Sequence, residues 1–175
     1  MSEKKCLIAY FSRKGNNYVS GSIKNLSVGN TEVVAEMIRE KVGGTMFRIE
    51  TVHEYPMDYA ETTDVAKAEQ KAGARPELRS HMSNMDDYGV IFLGYPNWWG
   101  TMPMAVFTFL EEYDLSGKTI APFCTHEGGG LGSSERDLRA ACPDSKVLDG
   151  LDIYGSRVGS SAKTVNDWIN GLKLI

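Results

Sequence analysis

Three apolar runs, each passing straight into a loop of small and polar residues, set the limits on what this chain can become. Residues 6–11 (CLIAYF) lead into a long Ser-, Gly- and Asn-rich loop and then a helix opening at Thr31. Residues 88–95 (YGVIFLGY) lead into PNWWGTMP, and residues 118–125 (KTIAPFCT) lead into HEGGGLGSS. A strand that is apolar at every position is covered on both faces, whereas a strand with one wet face alternates. Such strands, separated by helices, predict a parallel sheet with helices on both sides. Ligands of such sheets bind at the carboxyl ends of the strands, near the point where strand order reverses.

The intervening segments fit this pattern. Val34, Met37 and Ile38 share one face of the first helix, which Gly43-Gly44 ends with Lys41 in the last turn. Residues 45–50 (TMFRIE) read as a strand. Residues 51–83 are polar and mixed, with a helix expected over 60–72 and a breaker at Pro76. Pro103 suits the first turn of a helix whose apolar body is residues 105–110. Pro122 speaks against a fully paired central position for its strand. A helix capped by Ser133 or Ser134 runs through Leu138, and one short strand lies within 146–154. Val165, Trp168, Ile169 and Leu172 stand at helical spacing and mark a closing helix. With 175 residues, 42% of them hydrophobic, the chain can build a sizeable core, and one doubly wound α/β domain over 1–175 is expected.

Composition narrows the partners. A formal net charge of −4 with no basic stripe argues against nucleic acid. No stretch approaches a membrane span, and the first apolar run is too short for a signal sequence. Cys6, Cys124 and Cys142 are odd in number and widely spaced, so they read as reduced thiols of a cytoplasmic protein, Cys6 and Cys124 within the core. His53 and His81 lack metal-ligand spacing. Glu111, Glu112 and Asp114 form an acidic group, by default a solvated face and alternatively a docking patch.

The chemistry sits in the three loops. Ser12, Asn30 and Thr31, with the amides between them, suit a phosphate at a helix N-terminus, and Asn and Thr are equally ordinary helix caps. Adjacent Trp98 and Trp99 point in different directions, so one can pack inward while the other faces a planar ligand. Gly128-Gly129-Gly130 is entropically costly, which is tolerated where backbone must approach a ligand. Together these describe a phosphate site, an aromatic wall and a wall of backbone donors, as flavin mononucleotide (FMN) requires.

On the motifs YFSR, GNTE, GYPNWWGT and FCTHEGGGLG the chain resembles the flavodoxin-like family over nearly its whole length. The resemblance implies a five-stranded parallel sheet in the order 2-1-3-4-5 with FMN at its carboxyl edge. It puts Ser12, Lys14, Asn17, Asn30 and Thr31 in the phosphate loop. Pro96, Asn97, Trp98, Trp99 and Gly100 form one side of the ring pocket, and Thr125, His126, Glu127, Gly128, Gly129 and Gly130 the other. The compact phosphate loop of the family is split here by an insert over about 16–28. His126 and Glu127 stand where the family often has small residues; a carboxylate near the flavin N1 edge disfavours negative charge on the reduced ring, and a protonated imidazole favours it. Tyr18, in the insert, is a candidate to close over the ring.

The function implied is an FMN protein carrying electrons between cytosolic redox partners. The alternative is an FMN-dependent NAD(P)H oxidoreductase acting on quinones or similar small acceptors. A flavin-free receiver-type module is disfavoured, because residues 10–12 carry no carboxylate cluster.

Overall fold

The computed structural model describes residues 4–174. Eight strands and five α-helices follow in the order β1 (Lys5–Tyr10), β2 (Gly15–Val19), β3 (Ser22–Leu26), α1 (Asn30–Val42), β4 (Thr45–Arg48), α2 (Tyr59–Ala72), β5 (Tyr88–Pro96), α3 (Met104–Glu111), β6 (Thr119–His126), α4 (Ser134–Ala141), β7 (Lys146–Val147), β8 (Leu151–Tyr154) and α5 (Ala162–Leu172). The main sheet is parallel and runs β4-β1-β5-β6, with β7 and then β8 on the outer side of β6. Counting this sheet alone along the chain gives the expected order 2-1-3-4-5, except that two short pieces share the fifth place.

Pro122 explains the split. The Ile120 carbonyl accepts from the Leu148 amide, so by strand alternation residue 122 also presents its backbone toward β7 and β8. Proline has no N–H to donate there. Its ring instead faces Gly150, in the gap between the two pieces. On its other side it stays in register with Leu93, so the strand is central after all.

Alternation along the strands divides the core in two. Leu7, Ala9, Phe11, Ile91, Leu93 and Tyr95 pack with Ala105, Val106 and Phe109 of α3 and Leu138 of α4. Ile8, Tyr10, Phe92 and Phe123 pack with Val34, Ala35 and Ile38 of α1 and Val165 and Ile169 of α5. Gly94 permits this: a Cβ there would fall 2.2 Å from the Phe123 ring. The buried runs are thus covered on both faces.

The expected loop at 16–28 is mostly a β-hairpin. Strands β2 and β3 form their own antiparallel pair, joined by Ser20-Gly21, both at positive φ (52° and 84°) as a type I′ turn requires. Helix α2 has few buried residues, Thr62 and Ala66, and covers the cleft rather than the sheet face.

Candidate functional site

Strands β1, β5 and β6 end side by side, and the sheet order reverses at β1. Two cavities lie there, of about 410 and 120 Å³, with Arg13, Asn17, Tyr59, Asn97 and Trp98 in the walls of both.

The first wall is the start of α1. Gly29 precedes it, where a Cβ would fall 2.2 Å from Ser12 Oγ and 2.7 Å from the Arg13 carbonyl oxygen. That approach lets Ser12 Oγ accept from the Glu32 amide at 3.1 Å, so the helix is capped from a different part of the chain. The Asn30 and Thr31 amides have no acceptor within the helix. Both residues line the smaller cavity, at the positive end of the helix dipole. Thr31 Oγ1 lies 2.8 Å from Thr125 Oγ1 and ties this wall to the end of β6. Asn17 lines both cavities while its amide donates back to the Arg13 and Gly15 carbonyls at 2.8 and 3.2 Å. Lys14 stands apart, exposed beside a separate depression with Arg48, Glu50 and Tyr55.

The loop after β5 is organised by Asn97. Its Oδ1 accepts from the Gly100 amide at 2.9 Å, and its Nδ2 donates to the Gly130 carbonyl at 2.8 Å, clamping the second loop to the third. Trp99 and Gly100 form a tight turn closed by mutual Trp98–Thr101 backbone bonds, both central residues at positive φ (54° and 85°). A tryptophan in this conformation is strained. It is held by its Nε1 donating to the Thr63 carbonyl, Gln70 donating to its own carbonyl, and Lys67 4.2 Å above its ring. Trp98 turns inward, edge-on to Phe11 and Tyr55 with centroids 5.1 Å from each, and lines both cavities; Trp99 lines the larger alone. Pro96 borders the smaller.

In the third loop His126 is buried. Its Nδ1 accepts from the Gly128 amide at 2.9 Å, which leaves the proton on Nε2, facing Asp152 Oδ2 at 2.9 Å. The imidazole therefore orders the start of the glycine run, and it also lines the smaller cavity. Gly128 and Gly130 stand at φ 134° and 60°, and a Cβ on Gly129 would crowd Asn97 Nδ2 at 2.9 Å. Glu127 Oε2 accepts from the Ser20 amide of the hairpin at 3.2 Å, while its Oε1 is buried without a partner.

The sequence reading missed Arg13 and α2. The Arg13 guanidinium donates to the carbonyls of Asn16, Pro56 (2.9 Å) and Met57 (3.0 Å) and to Thr62 Oγ1 (3.2 Å), gathering three segments around the cleft. Its neighbour Lys14, expected in the phosphate loop, lines neither cavity. Tyr59, Thr62, Thr63 and Ala66 of α2 wall the larger cavity opposite the tryptophans; the helix was legible, its position was not. Tyr18 lines the smaller cavity and stacks on Tyr59, centroids 6.2 Å apart at 28°. The buried thiols are poor nucleophiles: burial pushes Cys142 up to about 11 and Cys124 higher still.

By fold and cleft, this is a doubly wound α/β protein with its candidate site at the strand-order switch point. The chain belongs to the flavodoxin family: the family model described as Flavodoxin matches residues 5–172. Among solved structures it is similar to a protein described provisionally as a flavoprotein from Bacteroides eggerthii DSM 20697, with 28% identity, TM-score 0.79, and 99% of this chain and 100% of that one covered. A comparable protein from Bacteroides uniformis ATCC 8492 has 28% identity and TM-score 0.74, with 97% and 99% covered. A Lactobacillus acidophilus NCFM flavoprotein solved in complex with FMN shares the fold at 20% identity and TM-score 0.63, with 90% and 98% covered. No curated protein matches the chain.

Proposed function

We propose that this protein binds FMN and carries electrons between protein partners in the cytoplasm. The observation that carries the reading is the convergence on one cleft of the first-turn residues of α1 and a tryptophan-bearing turn, with the glycine run tied to that turn through Asn97. The residues fit the group: the Asn30 and Thr31 amides suit a phosphate, Trp98 and the Asn97–Gly130 clamp suit a planar ring, and the orphaned Glu127 oxygen awaits a donor. The flavin, when bound, supplies the electron transfer. This chain's part is to hold the phosphate, orient the ring and exclude water, and no side chain need act as nucleophile or base.

The alternative, an NAD(P)H oxidoreductase reducing quinones or similar small acceptors, draws support from the breadth of the 410 Å³ cavity between the tryptophans and α2. Against it, among the described residues Arg13 is the one cation lining that cavity, and its guanidinium is already engaged by the chain itself. A nicotinamide dinucleotide would find little there for its pyrophosphate.

The test is anaerobic spectroscopy of FMN-loaded protein. Flavin that stays oxidised with NADH and NADPH until a reductase is supplied supports the carrier. Rapid bleaching by the nicotinamide alone supports the oxidoreductase, and failure to retain flavin removes both.

A further inference from the structure

Glu127 is an anion in a place built for a ligand, and one of its oxygens is buried with nothing to accept. Leaving a buried acceptor unmet is costly, and more so when it is charged. The surroundings keep this carboxylate where it is. Its other oxygen is fixed by the Ser20 amide, 107 residues away. Behind it stands Gly155, where a Cβ would come within 2.5 Å of both Glu127 Oε1 and Asn30 Nδ2. Only a residue without a side chain lets those two groups share the wall of the smaller cavity with Thr31 and Thr125.

The bare oxygen needs a donor, which restricts what it faces. A phosphate dianion cannot supply one and would be repelled, so Glu127 is not part of the phosphate cradle. Of the groups that would frame the ring, Trp99 lines only the larger cavity and Trp98 stands in the wall between the two, so the ring falls toward the larger cavity. Between a phosphate at the α1 amides and a ring near Trp98 lies the polyhydroxylated chain of the cofactor. We propose that Glu127 Oε1 accepts a hydrogen bond from a hydroxyl of that chain, and that it selects ligands carrying a polyol beside the ring. This rests on the FMN reading above.

The test is a cycle between protein and ligand, read as dissociation constants from quenching of flavin fluorescence. Riboflavin carries the ring and the polyol without phosphate; lumiflavin carries the ring alone. Glu127→Gln keeps an acceptor for the Ser20 amide and replaces the charged acceptor with a neutral amide, so the hairpin link survives. Charge-assisted bonds are about twice as strong as neutral ones, and E127Q is expected to weaken FMN and riboflavin by about tenfold and leave lumiflavin unchanged. An equal loss for lumiflavin would assign Glu127 to a ring N–H, tighter FMN binding would make it a source of repulsion, and unchanged binding would leave it no contact with the ligand; each of these overturns the proposal. Comparing the melting temperatures of wild type and E127Q without ligand separates a folding defect from a lost contact. If wild-type protein binds none of the three flavins, the FMN reading itself falls, an outcome distinct from a null effect of E127Q.

Discussion

His126 makes two bonds that substitution can separate. Asparagine at 126 can offer an oxygen near the position of Nδ1 and so keep an acceptor for the Gly128 amide; glutamine reaches toward Asp152 instead. If the ordered glycine run is what the site needs, H126N retains flavin affinity while H126Q loses about tenfold, read by fluorescence titration. The reverse ranking would make the Asp152 link the important one. Trp99 presents a different balance, a strained backbone held by contacts to α2. Trp99→Gly removes the strain of φ 54° and also the Nε1 bond to Thr63, so its melting temperature should stay close to wild type while α2 amides exchange faster with deuterium.

At the scale of elements, two helices are held by polar groups that also shape the cleft. Ser12→Ala removes the acceptor for the Glu32 amide at the start of α1; a loss of about 1 kcal/mol in urea unfolding is expected, with weaker phosphate-bearing ligands. On α4, Asp137 accepts from Thr101 Oγ1 at 2.7 Å and Ser133 Oγ at 3.0 Å, bridging the second and third loops. Burial alone would raise its pKa, but the bonds from Thr101, Ser133 and Arg136 outweigh it and hold the carboxyl below the usual aspartate value. A depressed carboxylate stabilises the fold above its unfolded value, near pH 4, and that contribution is lost as the pH falls through the folded one. D137N should therefore show a shallower acid limb in melting temperature against pH. An unchanged limb would assign the acid sensitivity to other carboxylates.

Across the whole molecule, the hairpin and the core are separate systems. Among the described residues neither hydrophobic cluster contains one of 15–26, yet Asn17 and Tyr18 line the cleft and the Ser20 amide bonds Glu127 at its edge. Replacing residues 16–25 with a short Gly-Ser link should leave cooperative unfolding intact and speed flavin release by roughly tenfold in stopped-flow fluorescence. Loss of the folded state would show instead that the hairpin is structural.

Local pattern determined much of this protein. Unbroken apolar runs required strands covered on both faces, intervening helices required parallel pairing, and parallel pairing required that the loops after β1, β5 and β6 share one edge. Ser12, Asn30, Thr31, Trp98 and the glycine run stand out by residue type beside a strand end, and of these Asn30, Thr31 and Trp98 line the two cavities. The Ser20-Gly21 turn was also present as a signal, although the polar residues around it read as loop. Other features depended on chain segments far apart in sequence. Lys14 and Arg13 are equally cationic neighbours, and only the carbonyls of Pro56 and Met57 decide which one enters the cleft. Pro122 is tolerated centrally because its missing donor faces a break in the neighbouring strand. His126 and Glu127 stand side by side in the sequence; Gly128 and Asp152 claim the first, and Ser20 with Gly155 leaves one oxygen of the second bare. Residue type sets what a group can donate or accept, whereas long-range packing decides which partners remain for it, and that remainder is what a ligand meets.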